Sequence, residues 1–440
     1  MSKRFLIFLS IIVFILAIAG AIIIWRSVQD RTVVPSAPAT TPLSGFPVSA
    51  PTTNPVPPTT TEPVATGTAT EPNSTTTSPT NPITPPLTSG PLTKLSATPV
   101  SGIMLTPRFG STTPVALVYL EENTGHLFRI TPDGQNNQQL TSSSLPGVAR
   151  VWWGIYKNTI TLLAQYLDNR EQPVTFRGNY NLKLINLTNT GTTTTIPTEL
   201  TGADIPNIQV GGIAFSPSRD RFFSLLNTDV GVIGTVTELA TGKIRNIFSS
   251  PFKSWAVSWP APTIITLTPR AAAGVPSPLY FLNPDSGALT RILDSQTGLT
   301  VLVNPTGTKI LYNQELGRLK LYSTEDGSTQ TLTMVTLPEK CVWAADAITI
   351  YCAVPDTLPT TEIGQSAIKY PDDWWSGEVT FNDSLWKINT ATGEGKIVYT
   401  NRGASGDNRL DAINLLLDEV SQRLIFTDRW NGLPWSLDLR

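Results

Sequence analysis

The stretch "GHLFRITPDGQNNQQLT" at residues 125–141 decides how the chain is interpreted. An alternating run ends at Ile130, a polar turn follows at Asp133-Gly134, and a second short segment closes on Leu140. Asp-Gly between two such segments is a strong signal for a β-hairpin. Because a single hairpin fits many folds, its recurrence along the chain is the informative test.

The hairpin recurs as a repeat. Similar segments lie about 40–65 residues apart, which is typical of propeller blades. Most are preceded by a second, more apolar hairpin, such as "TVLVNPTGTKILYN" at 300–313. Each unit therefore has four antiparallel strands, A to D. The units are 101–142, 147–198, 209–248, 253–294, 298–334, 339–400 and 410–440. This pattern predicts an all-β fold, a β-propeller with seven blades preferred and six or eight as alternatives.

Closure of the ring is left open by the pattern. The last unit ends at Arg440 without a strand D. A ring can close by taking a strand from the other end of the chain, and "SGIMLTP" at 101–107 fits either of two places. It can form strand A of the first blade or complete the last blade.

Three segments resemble the TolB-like, WD-type repeats of bacterial envelope propellers. They are "GHLFRITPDGQNNQQLT", "FSPSRDRFF" at 215–223 and "VNPTGTKILY" at 303–312. The resemblance covers most of residues 115–440 and implies an extracytoplasmic binding platform. Its motifs specify blade geometry rather than chemistry, and Ser218-Arg219-Asp220 replaces the usual Asp-Gly, so no particular partner is implied.

The N-terminus predicts a membrane anchor within residues 1–31. Residues 5–25 contain no charge and rise about 31 Å as a helix, which matches a bilayer core. The alternative is a cleaved signal peptide, but the apolar run is long for one. Lys3 and Arg4 favour a cytoplasmic N-terminus with the remainder outside the cell membrane, in a single-pass topology.

Residues 32–98 are rich in Thr and Pro and carry few charges, which predicts a disordered stalk. The predicted propeller domain follows at 100–440. It has 26 Lys and Arg against 30 Asp and Glu, and its net charge is therefore −4. No basic cluster appears, so we expect no nucleic-acid partner.

Cys341 and Cys352 lie in one predicted hairpin, "CVWAADAITIYC". A two-residue turn at Asp346-Ala347 places the two cysteines directly opposite each other, within reach of a disulfide after modest adjustment. An oxidising exterior favours the bond, and two buried free thiols are the alternative. Two cysteines cannot complete a metal site, and the single histidine, His126, belongs to another blade.

Loop lengths suggest which face of the disc binds. The B–C and D–A loops share one face, and the long B–C segments fall at 165–181, 269–278 and 355–383. Binding sites concentrate on loops held by a rigid scaffold. We therefore expect the binding site on the face that carries these segments, which we call the loop face.

The sharpest candidate site is "KYPDDWWSGE" at 369–378. Adjacent aromatic and acidic side chains in a loop can stack on sugars or anchor a protein. The alternative is that a tryptophan folds back onto its own blade. The candidate binding residues, including one from blade 7, are Tyr370, Asp372, Asp373, Trp374, Trp375 and Trp430.

Catalytic and metal-binding signals are weak. No nucleophile motif accompanies His126, and no spaced oxygen motif supports calcium at carboxylates such as Glu121, Glu122 and Asp168. We predict no cofactor and a non-catalytic module that binds an envelope protein or glycan. The first alternative is a glycosidase or lyase with paired carboxylates on the loop face. The second is a structural surface or pilus-associated spacer.

Overall fold

The computed structural model describes residues 92–106, 116–182, 198–205, 210–360, 367–401 and 409–440. The predicted membrane anchor and the predicted stalk up to residue 91 lie outside the described residues. Within the described ranges, no helix is long and apolar enough to cross a membrane.

The described strands form seven antiparallel sheets of four strands, so the seven-bladed propeller is confirmed. In chain order the strands are β1 (Leu92–Lys94), β2 (Val100–Leu105), β3 (Leu117–Glu121), β4 (Leu127–Ile130), β5 (Gln138–Gln139), β6 (Val148–Tyr156), β7 (Thr159–Leu167), β8 (Pro173–Asn181), β9 (Thr201–Asp204), β10 (Val210–Phe215), β11 (Arg221–Thr228), β12 (Gly231–Glu238), β13 (Ile244–Ser250), β14 (Trp255–Ala261), β15 (Ile264–Pro269), β16 (Pro276–Leu282), β17 (Leu289–Thr297), β18 (Leu299–Val303), β19 (Lys309–Gln314), β20 (Arg318–Ser323), β21 (Thr329–Val335), β22 (Cys341–Trp343), β23 (Thr349–Pro355), β24 (Asp383–Asn389), β25 (Gly395–Tyr399), β26 (Ala412–Asp418), β27 (Arg423–Asp428) and β28 (Pro434–Asp438). Blades 1 to 6 take β2 to β25 in groups of four, and blade 7 has the order β26, β27, β28, β1.

Two short helices precede or interrupt the strands of blade 6. A 3₁₀ turn, Pro338–Lys340, leads into blade 6, and an α-helix, α1 (Asp372–Ser376), lies between strands B and C of that blade.

The glycines of the repeat occupy the C–D turns that the sequence predicts. Five of them have a φ between 70° and 82°, a region that side chains other than glycine rarely adopt. They are Gly134, Gly242, Gly287, Gly327 and Gly393. Each lies in the turn between strands C and D of its blade, so the repeat signal in the sequence is the chemistry of these turns.

Apolar clusters fill the contacts between neighbouring blades. Leu120 of blade 1 shares a cluster with Ile160 of blade 2, and Phe426 of blade 7 shares one with Leu385 of blade 6. The ring closes where Ile425 of blade 7 packs with the blade 1 side chains of Val100 and Leu117. These interblade clusters are the core of the fold.

The strand that completes blade 7 comes from the predicted stalk. Leu92–Lys94 pairs antiparallel with β28 in the register Leu92 to Leu437, whereas residues 100–105 form strand A of blade 1. Leu95, which follows β1, is buried between blades 7 and 1. Residues 92–98 are therefore part of the propeller, contrary to the predicted boundary, because the backbone of β28 needs a partner strand and this segment supplies it.

The predicted hairpin register of blade 6 is confirmed. Cys341 lies opposite Cys352 and the two form a disulfide with a Cα–Cα distance of 4.1 Å. The turn at Asp346-Ala347 fixes this register, since the Asp346 carboxylate accepts hydrogen bonds from the Ile348 and Thr349 N–H groups. The bond joins strands A and B of one blade.

The B–C connections are shorter than the sequence suggests in two of three blades. In blade 2 most of residues 165–181 belong to β7 and β8, and only 168–172 form a loop. In blade 4 the loop is 270–275. Blade 6 carries a long insertion, residues 356–382, whose described part contains α1.

Candidate functional site

A central cavity of about 780 Å³ opens among the A strands on the loop face. Its walls include residues 101–103, 256–258 and 299–301, which lie in the first halves of their strands. The first half of each A strand lies beside the D–A and B–C loops, so the cavity is on the face predicted to bind. Cavities of this size are typical of small-molecule sites.

The blade 6 insertion crosses the cavity through α1. The Asp372 carboxylate accepts a hydrogen bond of 2.6 Å from the backbone N–H of Ala273 in blade 4. The Trp375 carbonyl accepts one of 3.0 Å from the Arg429 guanidinium in blade 7, and the Trp375 indole donates to Glu339 at 3.1 Å. These bonds hold the helix to three separate parts of the ring, next to the cavity. We call residues 370–381, which include α1, the roof of the cavity.

The core of this roof is aromatic. Trp374 is 3% exposed and stacks on Phe381 with ring centroids 6.0 Å apart. Tyr370 stacks near the same Phe381 ring at 6.0 Å. Trp374 thus follows the alternative in which a tryptophan folds back, because burying its large apolar surface stabilises the insertion.

A buried charge cluster lies beneath the aromatic core. The Lys340 ammonium is 2.8 Å from the Asp383 carboxylate and also donates to Asp411, and the exposed fractions of all three side chains are 0–1%. Asp411 accepts further hydrogen bonds from the Trp374 indole at 3.0 Å and from the Phe381 N–H at 3.2 Å. We call Lys340, Asp383 and Asp411 the lysine cluster; it joins blade 6, blade 7 and the roof.

The two carboxylates of the lysine cluster are not equivalent. Asp411 is surrounded by donors, whereas the Oδ1 atom of Asp383 is buried and has no hydrogen-bond partner. Burial raises the pKa of Asp383 to about 7, with Asp411 adding to the rise and Lys340 opposing it. The same two carboxylates raise the pKa of Lys340 against the opposing effect of its burial.

We expect Asp383→Asn to change the pH dependence of stability. The pKa of Asp383 in the native state lies above its value of about 3.9 in the unfolded state, so the native state binds the carboxyl proton more tightly. The stability of the parent protein therefore falls as the pH rises toward about 7 and this proton is lost. The free energy of unfolding of the variant minus that of the parent should therefore rise by about 2–3 kcal/mol when the pH is raised from 5 to 8. Urea unfolding at both pH values measures this gain, and the exposed Asp229→Asn serves as the control. An equal difference at both pH values contradicts the prediction.

The predicted binding residues have different environments in the structure. Trp375 is half-buried and lines the cavity, and Trp374 also lines it from the roof. Asp373 accepts a hydrogen bond from the backbone N–H of Lys369 and therefore helps to hold the insertion. Trp430 is 47% exposed and lies under the Arg409 guanidinium at 4.5 Å from the ring centroid.

Four charged residues of the cavity lining are not predicted from the sequence. Arg150, Arg270, Arg429 and Glu339 line the cavity, but each comes from a different element. Glu339 is the carboxylate in the described lining, whereas the glycosidase hypothesis requires two carboxyl groups there. A useful signal was the charged pair Glu339-Lys340 immediately before the apolar strand β22.

Possible metal ligands and the single histidine, His126, are weak signals in the sequence. Within the described part of the chain, no group of three or more His, Cys, Asp or Glu side chains could hold a metal ion. His126 lies in blade 1, with its Nδ1 atom 3.3 Å from the Gln139 amide nitrogen.

Similarity to known proteins is found among solved structures. No protein-family model matches the chain, and no curated protein matches it. Among solved structures it is similar to puromycin hydrolase, with 12% identity, a TM-score of 0.47, and coverage of 78% of this chain and 52% of that one. It is also similar to oligogalacturonate lyase from Vibrio parahaemolyticus, with 10% identity, a TM-score of 0.46, and coverage of 79% and 93%.

The β-propeller domain of the Trilobed protease from Pyrococcus furiosus is a third such structure, with 10% identity, a TM-score of 0.34, and coverage of 67% and 96%. The chain spans about half the length of puromycin hydrolase. At these identities the similarity concerns the propeller fold alone. The TolB-like resemblance remains a prediction.

Proposed function

We propose that this protein is a membrane-anchored, extracytoplasmic and non-catalytic binding module for a protein or glycan partner of the cell envelope. The observation that supports the proposal best is the central cavity of about 780 Å³ on the loop face, with α1 in its roof. A rigid ring that holds loops around a cavity is suited to recognition. The predicted anchor at 5–25 and the predicted stalk would tether the propeller to the membrane.

Trp375 is the residue through which the proposal can be tested. It is half-buried, lines the cavity and contacts Glu339 through its indole nitrogen. Trp374 is unsuitable, because its burial beside Asp411 means that truncation would destabilise the roof. The exposed Trp430 lies outside the described cavity lining and offers a matched control.

We expect Trp375→Ala to weaken binding by about tenfold or more, because aromatic anchors at a binding site often contribute over 1 kcal/mol. The full-length protein in detergent micelles is tested on a glycan array and by cross-linking to purified envelope proteins. Trp430→Ala should bind like the parent. Equal binding by Trp375→Ala and the parent would contradict the cavity as the binding site. The spacer hypothesis expects no binding defect in this variant.

A further inference from the structure

The cavity has an unusual balance of charge. Its described lining contains Arg150, Arg270 and Arg429 but a single carboxylate, that of Glu339. This positive excess stands out in a chain of net charge −2. A cleft with charge of one sign and protein walls focuses its field and attracts a ligand of opposite charge.

Two of these arginines have unused donors. Among the described residues, the Arg150 and Arg270 side chains make no hydrogen bond and no ion pair. Arg429 differs, because it donates to the Trp375 carbonyl and lies over the Trp374 ring at 5.0 Å. Arg150 and Arg270 therefore present planar, bidentate donors to the cavity, whereas Arg429 holds the roof.

Glu339 lines the same cavity as the two arginines, and the charges of both act on its carboxyl group. Desolvation raises the pKa of the Glu339 carboxyl, although the residue keeps an exposed part, and the Trp375 hydrogen bond and the charges of Arg270 and Arg150 partly offset that rise. The Oε2 atom of Glu339 is occupied by the Trp375 indole. The donors of both arginines remain available to an incoming anion.

Tryptophan rings provide the second half of the site. Trp152 of β6 and Trp375 of α1 are both half-buried and both line the cavity, so each leaves part of its ring surface uncovered. Flat aromatic surfaces bind ring-shaped ligands through dispersion and burial of apolar area. Trp152 lies two residues after Arg150, on the same strand.

We propose that the central cavity binds a carboxylated sugar, with the carboxylate held by Arg150 and Arg270 and the ring against Trp152 or Trp375. This inference rests on the proposed function and narrows its partner to an acidic glycan unit. The planar guanidinium group of an arginine matches the planar carboxylate group, and both arginines line the same cavity, whose volume of about 780 Å³ accommodates one or two sugar rings.

Calorimetric titration of the full-length protein in detergent micelles tests the inference. The probes are D-glucuronate, D-glucose as the neutral sugar, and acetate as a carboxylate without a ring. We expect glucuronate to bind about tenfold or more tightly than either of the others, because it alone uses both halves of the site. Binding should weaken as salt is added.

Substitution of the free arginines provides the specific control. Arg150→Gln and Arg270→Gln should each weaken glucuronate binding about tenfold or more. Arg170→Gln, on the blade 2 loop of the same face but outside the cavity lining, should bind like the parent. Thermal unfolding verifies that the variants fold.

Three results would overturn the inference. They are equal binding of glucuronate and glucose, equal binding of glucuronate and acetate, and unchanged affinity in both arginine variants. The assay with Trp375→Ala separates this failure from that of the proposed function. If Trp375→Ala loses an envelope partner while the arginine variants keep it, the result supports the proposed binding function and contradicts the carboxylated sugar as the ligand.

Discussion

Lys340→Met should destabilise the propeller by about 3–5 kcal/mol, the range seen when one partner of a buried ion pair is removed. The substitution leaves Asp383 and Asp411 buried side by side without a cation. It also removes the ammonium that lies 5.1 Å from the centre of the Trp374 ring, so the roof over the cavity should loosen. Urea unfolding followed by tryptophan fluorescence measures both effects.

The matched control is Lys243→Met, at an exposed position between β12 and β13. Its free energy of unfolding should change by less than about 0.5 kcal/mol. A second variant, Lys340→Met with Asp383→Leu, should recover part of the loss, because it removes the carboxylate that lacks a partner for its Oδ1 atom. Equal stability of Lys340→Met and Lys243→Met would show that the lysine cluster contributes little.

Deletion of residues 92–95 should cost about 3–5 kcal/mol and promote self-association. The deletion removes the strand that pairs with β28 and the side chain of Leu95, which is 4% exposed between blades 7 and 1. The stalk residues drawn into the gap, "TSGP" at 88–91, are poor strand formers. An uncovered β28 would then present free backbone groups to another copy of the chain.

Deletion of four residues further up the predicted stalk, 60–63, is the control for chain length. That variant should keep the stability and the monomer fraction of the parent, as measured by urea unfolding and light scattering. If the 92–95 deletion behaves like this control, another segment must complete blade 7.

The repeat and the disulfide are local features, and the sequence predicts both. Gly134 and its counterparts must adopt positive φ in the C–D turns, so the requirement is visible as a residue type at a regular spacing. The disulfide follows from a turn centred on Asp346-Ala347, only a few residues from each cysteine. In both cases the residues that interact are close together in the chain.

The closing strand and the roof are non-local, and the sequence predicts them incompletely. β1 has three residues within a Thr- and Pro-rich region, and its partner β28 lies at the other end of the chain. The sequence singles out Trp374 and Trp375 equally. The structure buries Trp374 against Phe381 and leaves part of Trp375 at the cavity.

The sequence predicts the all-β repeat, favours seven units over six or eight, and favours a disulfide between Cys341 and Cys352 over two free thiols, because turn chemistry and strand alternation act over a few residues. The tertiary structure is needed to show that Leu92–Lys94 closes the ring and that Lys340, Asp383 and Asp411 meet beneath the roof. It also brought Arg150 and Arg270 to one cavity. These contacts join segments that are far apart in the chain, and the arrangement of the blades around one axis brings them together.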